Sequence, residues 1–496
     1  MSRPIIFILS LIFLWTGLLE AQQATPSSLP SAEALQQLKA EIARLSSSLD
    51  ETRSELQECR EEIHQLREEL QSSKSAVTNP GPTGTAEQGD YAHAIADLRE
   101  DQNLTDSRLA QLYQTKVESG SKYRVRLSGL VLFNTFVNRG TVNTTSVPNL
   151  AVPPSPGQAD GNIGATFRQT LFTLQAFGPE VAGARTTGEV QLDFYGGFAQ
   201  TLDGYVLGLA RLRTANIQFD WKKWSLRLTQ DKPFISPLTP TTLAALGTPE
   251  FAYSGDLWTW TPQIVAERTW QLSERVKPHL QFGMLDPFDG ELPATFFLRK
   301  PEAGELSRTP GLATRVSWDF PIGKQSATVG AGGYFARQDY DFGRVLDAWA
   351  ATLDWNLPFG EHWNLSGELH RGRGLGGMWG AIGASIVYTG PDDNPNSNVV
   401  GVNTVGGWSQ LKFKPAAKWE INGAFGEESP FAADLLQNGT PNYYPVLRNW
   451  TTMVNVIDRP RSNLMLSLEY RHLNTVLFSG QTRTADHLNL GVGVAF

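Results

Sequence analysis

The segment YRVRLSGLVLFNTFVN, residues 123–138, decides the fold. Its odd positions are mostly apolar, whereas its even positions include two arginines, a serine and two asparagines. A period of two is typical of a β-strand that has one apolar face and one polar face. The same alternation returns in residues 189–194, 312–320, 363–370, 463–471 and 487–496, and charged residues share the polar face in the first four of these. From residue 121 onward, the chain is therefore predicted to consist largely of two-faced strands.

The connectors between these strands indicate what kind of sheet they form, because alternation alone fits a β-sandwich as well as a membrane barrel. Short connectors occur at residues 221–224, 321–325, 358–362, 415–418 and 459–462, and long ones at 138–162, 232–262, 286–310, 372–402 and 427–447. Tryptophan and phenylalanine cluster beside the short connectors. Short turns at one rim, long loops at the other and an aromatic girdle are typical of outer-membrane barrels. Residues 121–496 are predicted to form an all-β transmembrane barrel of about 16 antiparallel strands.

A helical region is predicted to precede the barrel. Residues 1–21 combine Arg3 with a short apolar run, which is typical of a signal peptide cleaved after Ala21 or Ala24, the alternative being an uncleaved anchor. Residues 22–77 have the heptad spacing of an α-helical coiled coil, residues 78–89 form a linker, and residues 90–120 form a second, shorter helical segment. The predicted core positions of the coiled coil are Leu35, Leu38, Ile42, Leu45, Leu49, Leu56, Cys59, Ile63, Leu66 and Leu70.

Charge and rare residues exclude several functional classes. Residues 22–120 contain 9 Lys/Arg and 17 Asp/Glu, a difference of −8, whereas residues 121–496 contain 32 of each. This distribution gives no overall basic surface of the kind that binds nucleic acid. The single cysteine excludes an intrachain disulfide, and the 7 histidines show no metal-ligand or triad spacing. The sequence predicts neither enzyme activity nor a metal site or cofactor.

The last strand carries a compartment signal. Leu488, Leu490, Val492, Val494 and Phe496 share one face, and this pattern resembles the C-terminal signal that the barrel assembly machinery reads in bacterial outer-membrane proteins. Together with the coiled coil, the first strand and the basic strand around Arg211-Leu212-Arg213, the chain resembles the DcaP-like porins. That resemblance implies a trimer of barrels in the outer membrane, a coiled coil that extends into the periplasm, and import of small dicarboxylates.

Residues 121–232 contain 12 Lys/Arg and 7 Asp/Glu, an excess of +5 that predicts a basic wall inside the barrel. Such a row would attract anions, although the arginines could instead pair with acidic residues on neighbouring strands. A bulge is expected near residues 211–221, where the alternation slips. The pore-lining basic candidates are Arg168, Arg185, Arg211, Arg213, Arg227 and Lys232.

The loop at residues 232–262 resembles the third loop of general porins, which folds into the barrel. In that position Glu250 and Asp256 would oppose the basic wall and create a transverse field at a constriction. A surface loop packed between neighbouring barrels is the alternative. The glycine-rich segment at residues 372–402, with Met378 and Trp379, could form a cap over the mouth, and the sequence leaves its role open.

The sequence therefore predicts a homotrimeric porin that passes small hydrophilic solutes and favours anions such as dicarboxylates. Its predicted partners are outer-membrane lipid, the barrel assembly machinery and small anionic solutes. The competing hypothesis is a plugged structural barrel whose coiled coil tethers the outer membrane to peptidoglycan.

Overall fold

The computed structural model describes residues 124–198, 208–273, 275–290, 300–438 and 446–496. The predicted signal peptide, coiled coil, linker and second helical segment lie outside the described residues. The strands are β1 (Val125–Arg139), β2 (Asn162–Thr166), β3 (Leu171–Val181), β4 (Ala184–Asp193), β5 (Arg211–Asp220), β6 (Trp224–Asp231), β7 (Thr261–Thr269), β8 (Lys277–Leu285), β9 (Gly311–Ile322), β10 (Gln325–Asp339), β11 (Val345–Phe359), β12 (Trp363–Arg373), β13 (Ile386–Tyr388), β14 (Val399–Gly401), β15 (Asn403–Phe413), β16 (Trp419–Pro430), β17 (Val446–Arg461), β18 (Leu464–Leu477) and β19 (Thr482–Ala495). Two short helices, α1 (Ala303–Leu306) and α2 (Ala432–Asn438), lie in long connectors.

All strands except the small β13–β14 hairpin belong to one antiparallel sheet that closes on itself. The closure pairs β1 with β19, from Leu130 opposite Ala495 to Arg139 opposite Asp486. β2 and β3 share one position, because both pair with β1 on either side of residues 167–170. The sheet is therefore a closed barrel of 16 strand positions, which confirms the predicted barrel. Closure leaves no unpaired strand edge, as a membrane-embedded sheet requires.

The apolar faces of the strands point outward and the polar faces point inward. On β19, Leu488, Leu490, Val492 and Val494 are exposed on the outside, whereas His487 and Asn489 are buried inside. The same division holds on β9, β12 and β18, as the alternation predicts. Exposed tryptophans lie beside the short turns: Trp221, Trp224, Trp318, Trp363 and Trp419. An apolar band with an aromatic girdle is the outer surface that a barrel presents to lipid.

The two rims differ as expected. Most turns at one end, here named the short-turn rim, are brief; the β3–β4 turn consists of Ala182 and Gly183, both with positive φ, as a two-residue hairpin requires. The long connectors meet at the opposite rim, although residues 340–344 and 478–481 form short hairpins there. No helix among the described residues is long and apolar enough to cross a membrane.

The barrel is not hollow, because residues 232–260, here named the lumen loop, fold inside it. Ile235, Ala244, Phe251 and Leu257 of this loop are at most 1% exposed. They pack against inward-facing apolar residues of the wall; Phe251, for example, lies with Trp408 and Met453. Each large apolar side chain buried in this way contributes about 1.5–3 kcal/mol. The structure thus selects the inward-folding alternative for this connector.

Candidate functional site: the barrel lumen

The first half of the lumen loop is held by side chains from several strands of the wall. The carboxylate of Glu368 on β12 accepts a hydrogen bond from the backbone amide of Leu238 at 2.6 Å. Gln410 on β15 accepts one from the amide of Thr241 at 2.7 Å. Asn134 on β1 donates to the carbonyl oxygen of Leu243 at 2.9 Å. The polar inner face of the barrel therefore satisfies the backbone of a segment that carries no sheet pairing of its own.

The tip of the loop is clamped by Gln169, which lies in the interruption between β2 and β3. Its side-chain oxygen accepts hydrogen bonds from the amides of Leu246 and Gly247 at 2.6 and 2.9 Å, and its amide donates to the Ala244 carbonyl at 2.9 Å. Because residues 167–170 leave the regular pairing with β1, Gln169 can project into the lumen. The break in the strand is thus the point at which the loop docks.

The return half of the loop is anchored by charge. Glu250 lies 2.6 Å from Nε of Arg471 on β18, and the same nitrogen donates to Glu469 at 2.8 Å. All three side chains have 0% exposure. Burial raises the pKa of Glu250 well above its ordinary range, although Arg471 acts against the shift. Two carboxyl groups thus share a single guanidinium in a water-free contact.

A second ion pair closes the base of the loop. The Lys232 ammonium lies 2.7 Å from the Asp256 carboxylate and 3.9 Å from that of Glu368. Burial alone would lower the pKa of Lys232, but the two carboxylates together raise it above its ordinary value. Glu250 and Asp256 therefore lie in the lumen loop as expected, but each carboxylate is compensated by a cation, Glu250 by Arg471 of the wall and Asp256 by Lys232 at the base of the loop itself.

The predicted basic wall is largely compensated by acidic neighbours. Arg211 makes a bidentate contact with Asp193 at 2.9 and 2.8 Å and also donates to the carbonyl of Gly247. Arg227 lies 3.8 Å from Glu267. The pairing of Arg211 with Asp193 across strands is the alternative that the sequence left open, and here it leaves little net charge.

Arg213 differs from these paired residues. The pairing of β4 with β5 shifts between Gln191 and Leu192, which places the predicted bulge at Arg213. The guanidinium donates to the side-chain oxygen of Gln191 at 2.7 Å and lies 5.2 Å from the ring centre of Trp260. Its direct contacts are thus with a neutral amide and an aromatic face, and the carboxylates of Asp193 and Asp231 act on its charge at longer range.

Two other candidates lie away from the loop. Arg168 stacks on Tyr195 and Phe198, 4.2 Å from each ring centre, and borders an outer groove lined by Val131 and Phe133. Arg168 lies outside the lumen, because adjacent side chains point to opposite sides of the wall and that of its neighbour Gln169 points inward. Arg185 is exposed near the short-turn rim, opposite Asp220 on β5.

An open side of the lumen remains beside the short strands β4 to β8. Many inward polar side chains there are half-buried, among them Gln191, Arg213, Gln218, Arg227 and Glu267, whereas Asp193, Gln263 and Gln281 are buried. On the opposite wall, which the loop covers, the inward side chains of Asn422, Asn455, Glu469, Asn489 and Asn134 have at most 1% exposure. The region where Arg211, Arg213 and Trp260 approach the loop tip at Gly247 is here named the constriction.

Two features of the lumen are not predicted by the charge balance of residues 121–232. The first is the set of aromatic rings at the constriction: Trp258 stacks on Trp379 with ring centres 6.0 Å apart, and Trp260 contacts Trp258 edge-on at 5.2 Å. The second is a basic cluster at the short-turn ends of β15 and β17 formed by Lys412, Lys414 and Arg459. Lys412 lies on the polar face of β15 and Lys414 continues the same alternation one residue past its end, so the period of two could have found them.

These features define a class of protein, the 16-stranded barrel of the outer-membrane porin type. No protein-family model and no curated protein matches the sequence. Among solved structures, the chain is similar to the outer membrane channel DcaP of Acinetobacter baumannii, with a TM-score of 0.56 and 13% identity over 77% of this chain and 100% of that chain. The resemblance to the DcaP-like porins is thus confirmed at the level of the fold.

More distant similarities are to other outer-membrane proteins. OprB of Pseudomonas putida aligns with a TM-score of 0.43 and 10% identity over 75% of this chain and 94% of that chain. OmpT of Vibrio cholerae aligns with a TM-score of 0.41 and 9% identity over 77% of this chain and 100% of that chain.

Proposed function

We propose that this protein is an outer-membrane diffusion channel for small hydrophilic solutes. The observation that carries the proposal is the unequal filling of the lumen. The lumen loop covers the wall from β10 through β19 to β1 and the long-loop ends of β7 and β8, while Gln191, Gln218, Arg227 and Glu267 stay half-buried beside it. A polar strip next to an inward loop provides a route lined by hydrogen-bonding groups.

We further propose that the channel favours anions such as dicarboxylates. Arg213 supports this preference, because its charge at the constriction faces a neutral amide and an indole ring. A cation held in a partly desolvated passage raises the local concentration of anions. The resemblance to DcaP supports the choice of dicarboxylates over other anions.

The reversal potential of the purified full-length protein in a planar bilayer under a salt gradient tests both proposals. Conductance with anion preference is expected, and Arg211→Ala/Arg213→Ala should reduce that preference. Absence of conductance in correctly folded protein would refute the channel, whereas cation preference would refute only the dicarboxylate proposal. Lys324→Gln is the control, because the Lys324 side chain is 93% exposed and its ammonium lies 3.9 Å from Glu361 on a turn.

We propose that the protein forms a homotrimer in the outer membrane, with its coiled coil in the periplasm. The short strands β4 to β8 support this arrangement, since they have 8–10 residues whereas β10 and β11 have 15. These short strands make one side of the barrel lower than the rest, and the apolar outer face of that side is suited to contact with neighbouring barrels. Three equal conductance steps for each insertion event would support the trimer, and single steps would refute it. The terminal strand would be the signal for the barrel assembly machinery.

The alternative function is that of a plugged barrel that tethers the membrane to peptidoglycan. A specific observation favours it: loops of the long-loop rim pack into one apolar cluster that includes Leu150, Tyr253, Trp258, Ile382 and Leu477. Deleting residues 22–120 separates the two functions, because a tether would lose its role whereas a channel would still conduct. Detachment of the outer membrane in cells with the deletion, combined with no conductance in vitro, would favour the tether.

A further inference from the structure

Three cationic side chains converge on one carboxylate at the short-turn rim. The ammonium groups of Lys412 and Lys414 lie 3.2 and 3.4 Å from the carboxylate oxygens of Glu420, and Nη1 of Arg459 lies 3.3 Å from it. Lys414 and Arg459 contact the same oxygen, Oε2, so their charged heads lie close to each other. The amide of Asn422 donates to the other oxygen at 3.2 Å. One carboxylate therefore holds three cations together.

This cluster has a local excess of two positive charges. Elsewhere in the lumen the described ion pairs are closer to one-to-one, as with Arg211 and Asp193 or Arg315 and Asp354. Like charges this close repel unless further negative charge reaches them. Glu420 supplies one negative charge, and the two remaining positive charges can be compensated by anions that approach from the solvent side.

The cluster is accessible from the lumen. Strand alternation places Lys412 on the inward face of β15, because its neighbour Leu411 is exposed on the outside, and Lys414 directly follows the last residue of that strand. The carboxylate is 3% exposed, but the side chains of Lys412, Lys414 and Arg459 are 22%, 51% and 33% exposed. The buried acid thus positions cationic heads whose outer sides face water.

We propose that Lys412, Lys414 and Arg459 form a binding site for small dianions at the short-turn rim. Adjacent ammonium and guanidinium groups match a compact ligand with two negative charges, such as a dicarboxylate or inorganic phosphate. Binding at exposed cations is weak, which suits a channel, because a solute must also leave. The inference deepens the proposed function by assigning a dianion site to a wall remote from the predicted arginines.

The experiment measures how succinate and inorganic phosphate, added separately, inhibit chloride current through the full-length protein. The test variant is Lys412→Gln/Lys414→Gln, in which Glu420 keeps Arg459 and Asn422. Each lost exposed ion pair corresponds to a factor of about 1.4 to 5, so the half-inhibiting concentration should rise by about 2- to 25-fold. Lys412→Arg/Lys414→Arg keeps both charges and should behave as the wild type does.

Lys222→Gln/Lys223→Gln is the matched control, because it removes two exposed lysines from a different turn on the same rim. Equal effects of the two glutamine pairs would overturn the site and indicate only general charge at the mouth. Equal inhibition of the wild type and Lys412→Gln/Lys414→Gln would also overturn it. Saturation-transfer NMR of succinate with the detergent-solubilised protein reads binding independently of conduction. A non-conducting wild type would refute the proposed function alone, and the NMR comparison would still decide the site.

Discussion

Replacing Arg471 by methionine is expected to release the return half of the lumen loop. Arg471 is fully buried and lies 2.6 Å from Glu250 and 2.8 Å from Glu469. Removing one partner of a buried ion pair costs about 3–5 kcal/mol, because the remaining charge stays buried and uncompensated. At about 1.4 kcal/mol for each factor of ten, the ratio of docked to released loop falls by roughly two to three and a half orders of magnitude.

Release should be partial, because the first half of the loop has anchors of its own. The backbone contacts of Leu238 with Glu368 and of Thr241 with Gln410 do not involve Arg471. The movement is therefore expected in residues 248–255, which lie between the Gln169 clamp and the Lys232–Asp256 ion pair and next to the constriction. A wider and less steady passage should follow.

Single-channel recording in a planar bilayer measures this effect as a larger mean conductance with greater current noise. The double variant Arg471→Met/Glu250→Gln supplies the control, since it leaves Glu469 with the Thr242 hydroxyl and the Asn455 amide as donors. The double variant should recover part of the lost stability, by about 1 kcal/mol or more in a double-mutant cycle. If Arg471→Met keeps the conductance, noise and melting temperature of the wild type, the loop does not depend on this ion pair and the reasoning is refuted.

Three other changes test separate parts of the lumen. The pKa of the Glu250 carboxyl group is higher in the folded protein than in the unfolded chain, so the stability that this group contributes is lost as the pH rises from its ordinary pKa through the raised one. The melting temperature of the wild type should therefore fall over that pH range. Glu250→Gln should remove this pH dependence. Gly255→Ala should weaken loop docking by about 1–3 kcal/mol, because φ of Gly255 is +97° and the added Cβ would lie 2.5 Å from the Glu427 carbonyl oxygen. The measurement is thermal unfolding. Gly323→Ala is the control, because Gly323 also has a positive φ, +61°, but open space around it. Arg213→Gln should lower the anion preference read from the reversal potential, and an unchanged value would mean that this charge lies off the conducting route.

Strand-level features of this chain could be predicted because they depend on neighbours in sequence. The apolar faces of β1, β9, β12, β18 and β19 follow from a period of two. The bulge at Arg213 was likewise visible as a slip in the alternation. These properties are local, and the outer surface of a membrane barrel repeats one local rule around the whole sheet.

The course of the lumen loop could not be predicted in the same way, because its partners are remote in sequence. Glu250 meets Arg471 from a strand that lies 221 residues later in the chain. Arg168 was misassigned to the lumen for a related reason. The interruption between β2 and β3 turns Gln169 inward, and nothing in the local alternation marks that change of direction.

Net charge counted over a long segment is a poor guide to selectivity, because pairing changes it locally. The excess of +5 in residues 121–232 is reduced where Lys232 meets Asp256 and Arg227 meets Glu267, whose carboxylates come from outside the segment. The basic cluster on β15 and β17, in contrast, lies in a body whose total charge is zero. What acts on a passing ion is the charge left after local pairing, together with its exposure.

The constriction and the basic cluster should therefore respond differently to salt. Arg213 is half-buried beside Trp260, whereas the side chain of Lys414 is 51% exposed. The Debye length falls from about 30 Å at 0.01 M salt to about 3 Å at 1 M, so the exposed lysines lose most of their influence and the shielded guanidinium loses less. The selectivity change caused by Lys412→Gln/Lys414→Gln should shrink toward zero at 1 M, while that of Arg213→Gln should persist. If the selectivity changes of both variants disappear together at high salt, the exposed lysines and Arg213 are equally hydrated. In that case the difference in exposure does not give the short-turn rim and the constriction different roles, the one concentrating anions and the other selecting among them.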